Sequence, residues 1–275
     1  MLRQRIITAL ILVPVMLIGV MFIKTSGLAV LLGIIVCIGA WEWTKFAEIK
    51  RVISRIFYVA VVVMALSFSY YFKEEPWSIF ITYLGALWWL VAFASIIAVE
   101  KNAYTFTKST LITLFIGLLV LVPAWQSIIS IHGRAAGDGP MQLIFLLLLI
   151  WTADISAYFT GRKWGNKKLS PNISPGKTWQ GVIGGIIACL FLTLIFGIQT
   201  QLHVYDIIIF LVLTSLTVMV SIIGDLFESL MKRRVNLKDS GNLLPGHGGV
   251  LDRIDSLTAA APFFLTTMLL TGAWS

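Results

Sequence analysis

Between Gly224 and Asp255 the chain places Asp225, Glu228, Asp239, Asp252 and Asp255 among Lys232, Arg233, Arg234, Lys238, Arg253 and His247, with a long apolar run on either side. Charge at bilayer depth is expensive, so such a cluster is by default read as a candidate functional site. Spaced carboxylates suit a hard cation such as Mg²⁺, and lysines and arginines suit phosphate oxygens. Together these residue types point to metal-assisted chemistry on phosphates.

Spacing sharpens that reading. On a helix, Ser221, Asp225, Glu228, Ser229 and Lys232 fall on one face, because side chains three, four, seven and eight apart stack. The rest of that helix is Ile, Leu, Val and Phe, so the polar stripe should face protein and not lipid. Asp252, Asp255 and Ser256 share a face in the first two turns of the following helix. Two such helices can bring Asp225 and Asp252 together, and paired carboxylates completed by water and phosphate oxygens are how Mg²⁺ is usually held. The plainer alternative is that these acids pair with Lys232, Arg233 or Arg253 only to hold the bundle. The density of charge in one stretch favours the functional reading.

Two loops add candidates. Leu244-Pro245-Gly246-His247-Gly248-Gly249 precedes a helix N-terminus. There Gly248 and Gly249 can offer backbone N–H groups to an anion, and His247 can donate to a phosphate. An ordinary tight turn is the alternative. The second loop, Ser170 to Thr178, ends in Gly-Lys-Thr. It is not a P-loop: Pro171 stands where the first glycine belongs, and the membrane helix before it cannot supply the strand that such a loop follows. One reading is a helix start capped by Thr178 or Ser174. The other is a phosphate contact made by Ser174, Lys177 and Thr178. Asp154 is expected to be buried among Trp151, Ile155 and Tyr158, facing the same cavity or a neighbouring helix. Trp41 and Trp43 read as interfacial anchors, with no role evident for Glu42.

The elements that must position these groups follow from composition. Hydrophobic residues make up 58% of the 275 and charged residues 12%, against roughly 25% charged in a soluble domain; mean hydropathy is +0.91. This excludes an ordinary soluble enzyme and implies an all-α, polytopic membrane protein. A span needs about 20 apolar residues, and segments 5–23, 26–47, 53–72, 77–99, 109–131, 141–160, 178–199, 204–230 and 250–272 qualify. The apolar run after Arg3 and Arg5 is long enough to be a first span, not a cleaved signal. The chain reads as one membrane domain over 1–275, with the chemistry carried by 141–272. Cys37 and Cys189 read as packing residues. Nothing points to a nucleic-acid partner.

Lys and Arg placement predicts the orientation. With the N-terminus in the cytoplasm, nine spans leave 18 of the 21 basic residues inside, and only Lys24, Lys73 and Arg134 outside. The 224–255 cluster then faces the cytoplasm.

The run Ser229-x-Met231-Lys232-Arg233-x4-Lys238-Asp239-x-Gly241-x2-Leu244-Pro245-x-His247-Gly248-Gly249-Val250-x-Asp252-Arg253-Ile254-Asp255 resembles the signature of the phosphatidate cytidylyltransferases, or CDP-diglyceride synthetases, of bacteria. The resemblance extends to Gly-Asp-Leu-Phe-Glu-Ser upstream, to Ser-Pro-Gly-Lys-Thr-Trp-Gln-Gly, and to the multi-span layout. One departure is Gln180, where the family commonly shows Glu. The resemblance implies an inner-membrane enzyme of phospholipid biosynthesis that makes CDP-diacylglycerol and pyrophosphate from CTP and phosphatidate, as a homodimer. It implies Asp225 and Asp252 as metal ligands, with Mg²⁺ paired with K⁺. Lys232, Arg233 and Asp255 are then expected in catalysis. Ser174, Lys177, Thr178, Lys238, Asp239, His247, Gly248, Gly249 and Arg253 are expected in substrate binding.

A CDP-alcohol phosphotransferase needs a DGxxAR run that is absent here. A transporter should carry its acids near the midplane between broken helices, whereas these crowd one end. A CTP-dependent lipid kinase differs only in which phosphate is transferred.

Overall fold

In a computed structural model, residues 14, 16–73, 76–101, 108–134, 139–243 and 248–272 are described. Eight described helices are long and apolar enough to cross a membrane. They are α1 (Thr25–Phe46), α2 (Val52–Tyr71), α3 (Pro76–Glu100), α4 (Thr110–His132), α5 (Gly139–Trp164), α6 (Trp179–Gln199), α7 (Val204–Arg234) and α8 (Leu251–Thr271). These match the second to ninth expected spans, and the protein is an all-α polytopic membrane protein. Most of the expected first span, 5–23, lies outside the described residues, although 16–22 are helical.

Two helices outrun their apolar sequence. α5 continues through Arg162 and Lys163 to Trp164, and α7 through Lys232, Arg233 and Arg234. Cations in a last turn complement the helix dipole, so helicity persists where hydropathy has ended. At 31 residues, α7 is about 46 Å long at 1.5 Å per residue, beyond the roughly 30 Å of a hydrocarbon core. A further departure is an antiparallel hairpin between α5 and α6, with β1 (Lys168–Ser170) pairing β2 (Ser174–Thr178).

Helices in a bilayer gain little from excluding water, so small residues and buried polar links decide how they pack. Ala153 and Ala157 of α5 press on Gly185 and Gly181 of α6. A Cβ on Gly181 would lie 2.8 Å from the Ala157 carbonyl oxygen, and one on Gly185 would lie 3.1 Å from that of Ala153. α7 meets α8 at Gly224, where a Cβ would lie 2.6 Å from the Asp255 carbonyl oxygen. Gly85 of α3 admits Pro123 of α4 in the same way. Polar links between helices include Thr193 Oγ1 to Thr214 Oγ1 at 2.8 Å and Ser69 Oγ to Gln126 Oε1 at 2.5 Å. Cys37 and Cys189 are both free thiols.

Trp43 corrects an expectation. It is 2% exposed, packs against Phe46, and donates from Nε1 to the Thr113 carbonyl at 2.8 Å. Gly117 of α4 leaves the room for its ring, so Trp43 is a core residue and not an interfacial anchor.

Contacts sort the helix ends into two groups. At one end, Lys45 Nζ donates to the Ser240 carbonyl at 2.6 Å, and Arg234 donates to Thr113 Oγ1 at 2.9 Å and to the Phe46 carbonyl. Glu100, at the end of α3, accepts from Ser170 Oγ and from the Asn172 and Ile173 amides of the hairpin. At the other end, Thr25 Oγ1 meets His132 Nδ1 at 2.9 Å.

Candidate active site

The α7 stripe lies against protein, as its periodicity requires. Ser221 is buried and bonds back to the Val218 carbonyl at 2.8 Å. Asp225 accepts from Ser229 Oγ at 3.5 Å and pairs with Lys177 Nζ at 2.5 Å. Glu228 is 4% exposed, with Oε1 3.2 Å from Lys232 Nζ. That ammonium also lies 2.5 Å from Asp252 Oδ1, which ties the last turn of α7 to the first turn of α8.

Asp252 closes the loop before α8. Its Oδ2 accepts from the Ser240 amide at 2.9 Å and the Gly249 amide at 2.8 Å, and Ser240 Oγ lies 2.9 Å away. A carboxylate in a first helical turn is favoured by the dipole and by the free N–H groups there. Gly248 has φ +81°, which a side chain rarely tolerates, and a Cβ there would also meet Asp252 Oδ2 at 2.7 Å. The Gly249 N–H, a candidate anion donor, is already committed to Asp252. His247 lies outside the described residues.

Beneath this loop is a residue whose role sequence reasoning missed. Glu42 of α1 is 2% exposed; its Oε2 accepts from the Leu251 amide at 2.9 Å and lies 3.0 Å from Ser240 Oγ. The single Ser240 hydroxyl hydrogen serves Glu42 or Asp252, not both at once. Glycines at 241 and 249 are required, because a Cβ on either would strike the Glu42 carboxylate. A lone acid in an apolar span was the available signal, since such a charge needs partners.

The hairpin supplies the second wall. Lys177, on β2, reaches across to Asp225. Thr178 is buried and caps α6, accepting from the Gly181 amide at 3.2 Å; the capped-start reading of this segment holds for Thr178. Ser174 stands opposite Ser170 in the ladder. Gln180 Oε1 accepts from the Asn166 and Lys167 amides at 3.2 and 3.3 Å, a role that needs an acceptor but no charge. Arg233 reaches the Ile173 carbonyl at 3.5 Å and the Leu237 carbonyl at 3.4 Å, tying α7 to the hairpin. Lys238, Asp239 and Arg253 are exposed on the same side.

Asp154 departs from expectation. It is exposed on α5, with Ile155 and Tyr158 exposed beside it. The inward face of α5 is the Ala153–Ala157 row, and Asp154 stands one position round the helix from it. It nonetheless lies within electrostatic reach of Asp225 and Lys177. Asp255 likewise feels Asp225, and Glu228 feels both Asp252 and Asp255. Five carboxylates therefore form one connected cluster, in which Lys177 and Lys232 are the ion-paired cations.

That donor set fits a hard cation. It is all oxygen, and its five carboxylates outnumber the two ammonium groups paired with them. No three His, Cys, Asp or Glu, among the described residues, are grouped to hold an ion by themselves. Mg²⁺ needs no such cage, because it keeps waters and takes one or two carboxylates plus substrate phosphates. Asp225 and Asp252 each already accept a cationic group at 2.5 Å. The arrangement can thus gather cations and polyphosphate oxygens at one end of the bundle.

Residues 3–271 match the model of the cytidylyltransferase family. The chain is 39% identical over 272 residues to the phosphatidate cytidylyltransferase of Pseudomonas aeruginosa, covering 99% of this chain and 98% of that one. It is 38% identical over 281 residues to that of Haemophilus influenzae, covering 96% and 97%. To that of Bacillus subtilis it is 40% identical over 166 residues, 59% of each chain.

Proposed function

The chain belongs to the cytidylyltransferase family, and from that premise we propose that it transfers a cytidylyl group from CTP to phosphatidate, giving CDP-diacylglycerol and pyrophosphate. The observation that carries this reading is the pair of lysine–carboxylate contacts, Lys177–Asp225 and Lys232–Asp252, at one end of the bundle. By the distribution of Lys and Arg that end faces the cytoplasm, where CTP is found. The lipid headgroup reaches the same level from within the leaflet. The same reading makes the protein a homodimer of the bacterial inner membrane.

In the proposed step a phosphate oxygen of phosphatidate attacks the α-phosphorus of CTP. One P–O bond forms, the bond to the β-phosphate bridge breaks, and its electron pair leaves with pyrophosphate. A phosphomonoester has its second pKa near 6 and is largely dianionic at neutral pH, so the chain need not supply a general base. Its task is to bring two polyanions together and stabilise the leaving group, which fixed cations do well where water is excluded. Lys177 and Lys232 enter the site with their ammonium groups already positioned by acids, so little is lost in ordering them. Arg233, Lys238 and Arg253 add positive charge at the exposed rim. Asp239 and Asp255 would orient Lys232, Arg233 and Arg253; Asp255 lies within electrostatic reach of Lys232. Mg²⁺ held by Asp225 and Asp252, with K⁺ as companion, would neutralise triphosphate charge as a Lewis acid.

The test is a product assay on the purified protein with CTP, phosphatidate and Mg²⁺. CTP labelled at the α-phosphate should leave its label in lipid. Label entering lipid only from the γ-phosphate would mean a kinase and overturn the assignment.

A further inference from the structure

The bundle end away from the charged cluster holds a cavity of about 210 Å³. It lies between the start of α1, the first turns of α3 and the last turns of α4 and α8. Lys73, Arg134, Ser130, Thr25 and Thr82 supply its polar wall. Lys73 and Arg134 are two of the three basic residues that the charge pattern leaves at this end. We propose that the cavity binds the phosphate headgroup of an anionic phospholipid, in the leaflet opposite the catalytic end.

Three observations support this. First, Lys73 and Arg134 both line the cavity, and a guanidinium is the group best shaped for bidentate contact with phosphate oxygens. Arg134 Nη1 is itself buried and has no hydrogen-bond partner among the described residues, so no acceptor there holds the guanidinium away from a phosphate. Ser130 accepts from Gln126 Nε2 at 3.1 Å, so its own hydroxyl hydrogen remains for an acceptor in the cavity. Second, Thr25 and Thr82 offer lone pairs. His132 Nε2 faces the Val20 carbonyl at 2.9 Å and so carries the ring hydrogen; Nδ1 then accepts from Thr25. Thr82 donates to the Ser78 carbonyl at 2.9 Å. These lone pairs suit headgroup hydroxyls. Third, the cavity opens sideways into the apolar surface. Ile79 and Leu269 line it while remaining 43% and 37% exposed, and Leu270 beside them is 70% exposed. A free phosphate ion would gain nothing from that wall, whereas glycerol and acyl carbons would. A water's share of liquid volume is about 30 Å³, so the space exceeds what one or two waters fill.

The full-length protein would be purified in detergent and lipid retention read by native mass spectrometry, with dioleoyl phosphatidylglycerol, dioleoyl phosphatidylcholine or inorganic phosphate added. Phosphatidylglycerol should be retained on the wild type at least tenfold more tightly than phosphatidylcholine, and not be displaced by millimolar phosphate. R134Q should weaken that retention at least tenfold. I129W, which fills the cavity without touching its charge, should do the same. K24Q, a basic residue of the same end outside the cavity, should have no effect. Circular dichroism and a monodisperse elution profile confirm folding. Undiminished retention in both folded R134Q and I129W would overturn the site. Equal retention of phosphatidylcholine would overturn the anionic headgroup, and displacement by inorganic phosphate would overturn the lipid in favour of a free anion.

Discussion

Lys232 Nζ lies 2.5 Å from Asp252 Oδ1 and 3.2 Å from Glu228 Oε1, so one buried ammonium joins α7 to α8 and answers to two acids. Removing one partner of a buried pair leaves uncompensated charge, typically at a cost of about 3–5 kcal/mol. K232Q is therefore expected to lower the melting temperature clearly and to reduce cytidylyl transfer by roughly two orders of magnitude or more. Thermal denaturation and the product assay on the same preparation check both. An unchanged melting temperature would show that the pair does not hold the two helices.

The Lys177–Asp225 pair behaves differently, because its side chains are 26% and 28% exposed. Partly hydrated pairs contribute about 1 kcal/mol or less. D225N should leave the melting temperature nearly unchanged yet reduce turnover by roughly a hundredfold or more. Turnover near that of the wild type would remove Asp225 from the reaction.

Glu42 holds the loop before α8 through the Leu251 amide and Ser240 Oγ. E42Q keeps an acceptor for the Leu251 amide and is expected to retain turnover within about tenfold, while E42A should lose considerably more, by the cost of an unpaired buried amide. The comparison of kcat and KM in the two variants is the check. Equal behaviour of Gln and Ala would mean that the acceptor does not matter.

Helix approach at Gly224 sets where Asp225 stands relative to Asp255. G224A places a Cβ 2.6 Å from the Asp255 carbonyl oxygen and is expected to destabilise by about 1–3 kcal/mol, as overpacking does, with a matching loss of turnover. G176A, where nothing lies within 4 Å, should fall within about 0.5 kcal/mol of the wild type. Denaturation of the two side by side tests the contrast.

Metal dependence is the last expectation. Chelation of divalent ions with EDTA should abolish turnover, and added Mg²⁺ should restore it. Full activity after exhaustive chelation would leave the excess carboxylates at this end without their proposed task.

By itself the sequence determined the second to ninth spans and the helical class, and it picked out the charged stretch that the structure gathers at one end of the bundle. A bilayer admits only self-satisfied backbone, so an apolar run of sufficient length must be a helix, and the 3.6-residue repeat then places Asp225, Glu228 and Lys232 on one face. Only the tertiary structure decided which groups meet. Lys177 takes Asp225, Lys232 takes Asp252, Glu42 sits under Ser240, and Glu100 holds the hairpin. Trp43 is turned into the core, and Asp154 stands exposed beside the Ala153–Ala157 row, for the same reason. How a helix is rotated depends on where small residues such as Ala153, Gly181 and Gly224 let backbones touch, and periodicity within a helix does not say which of its faces will meet a neighbour.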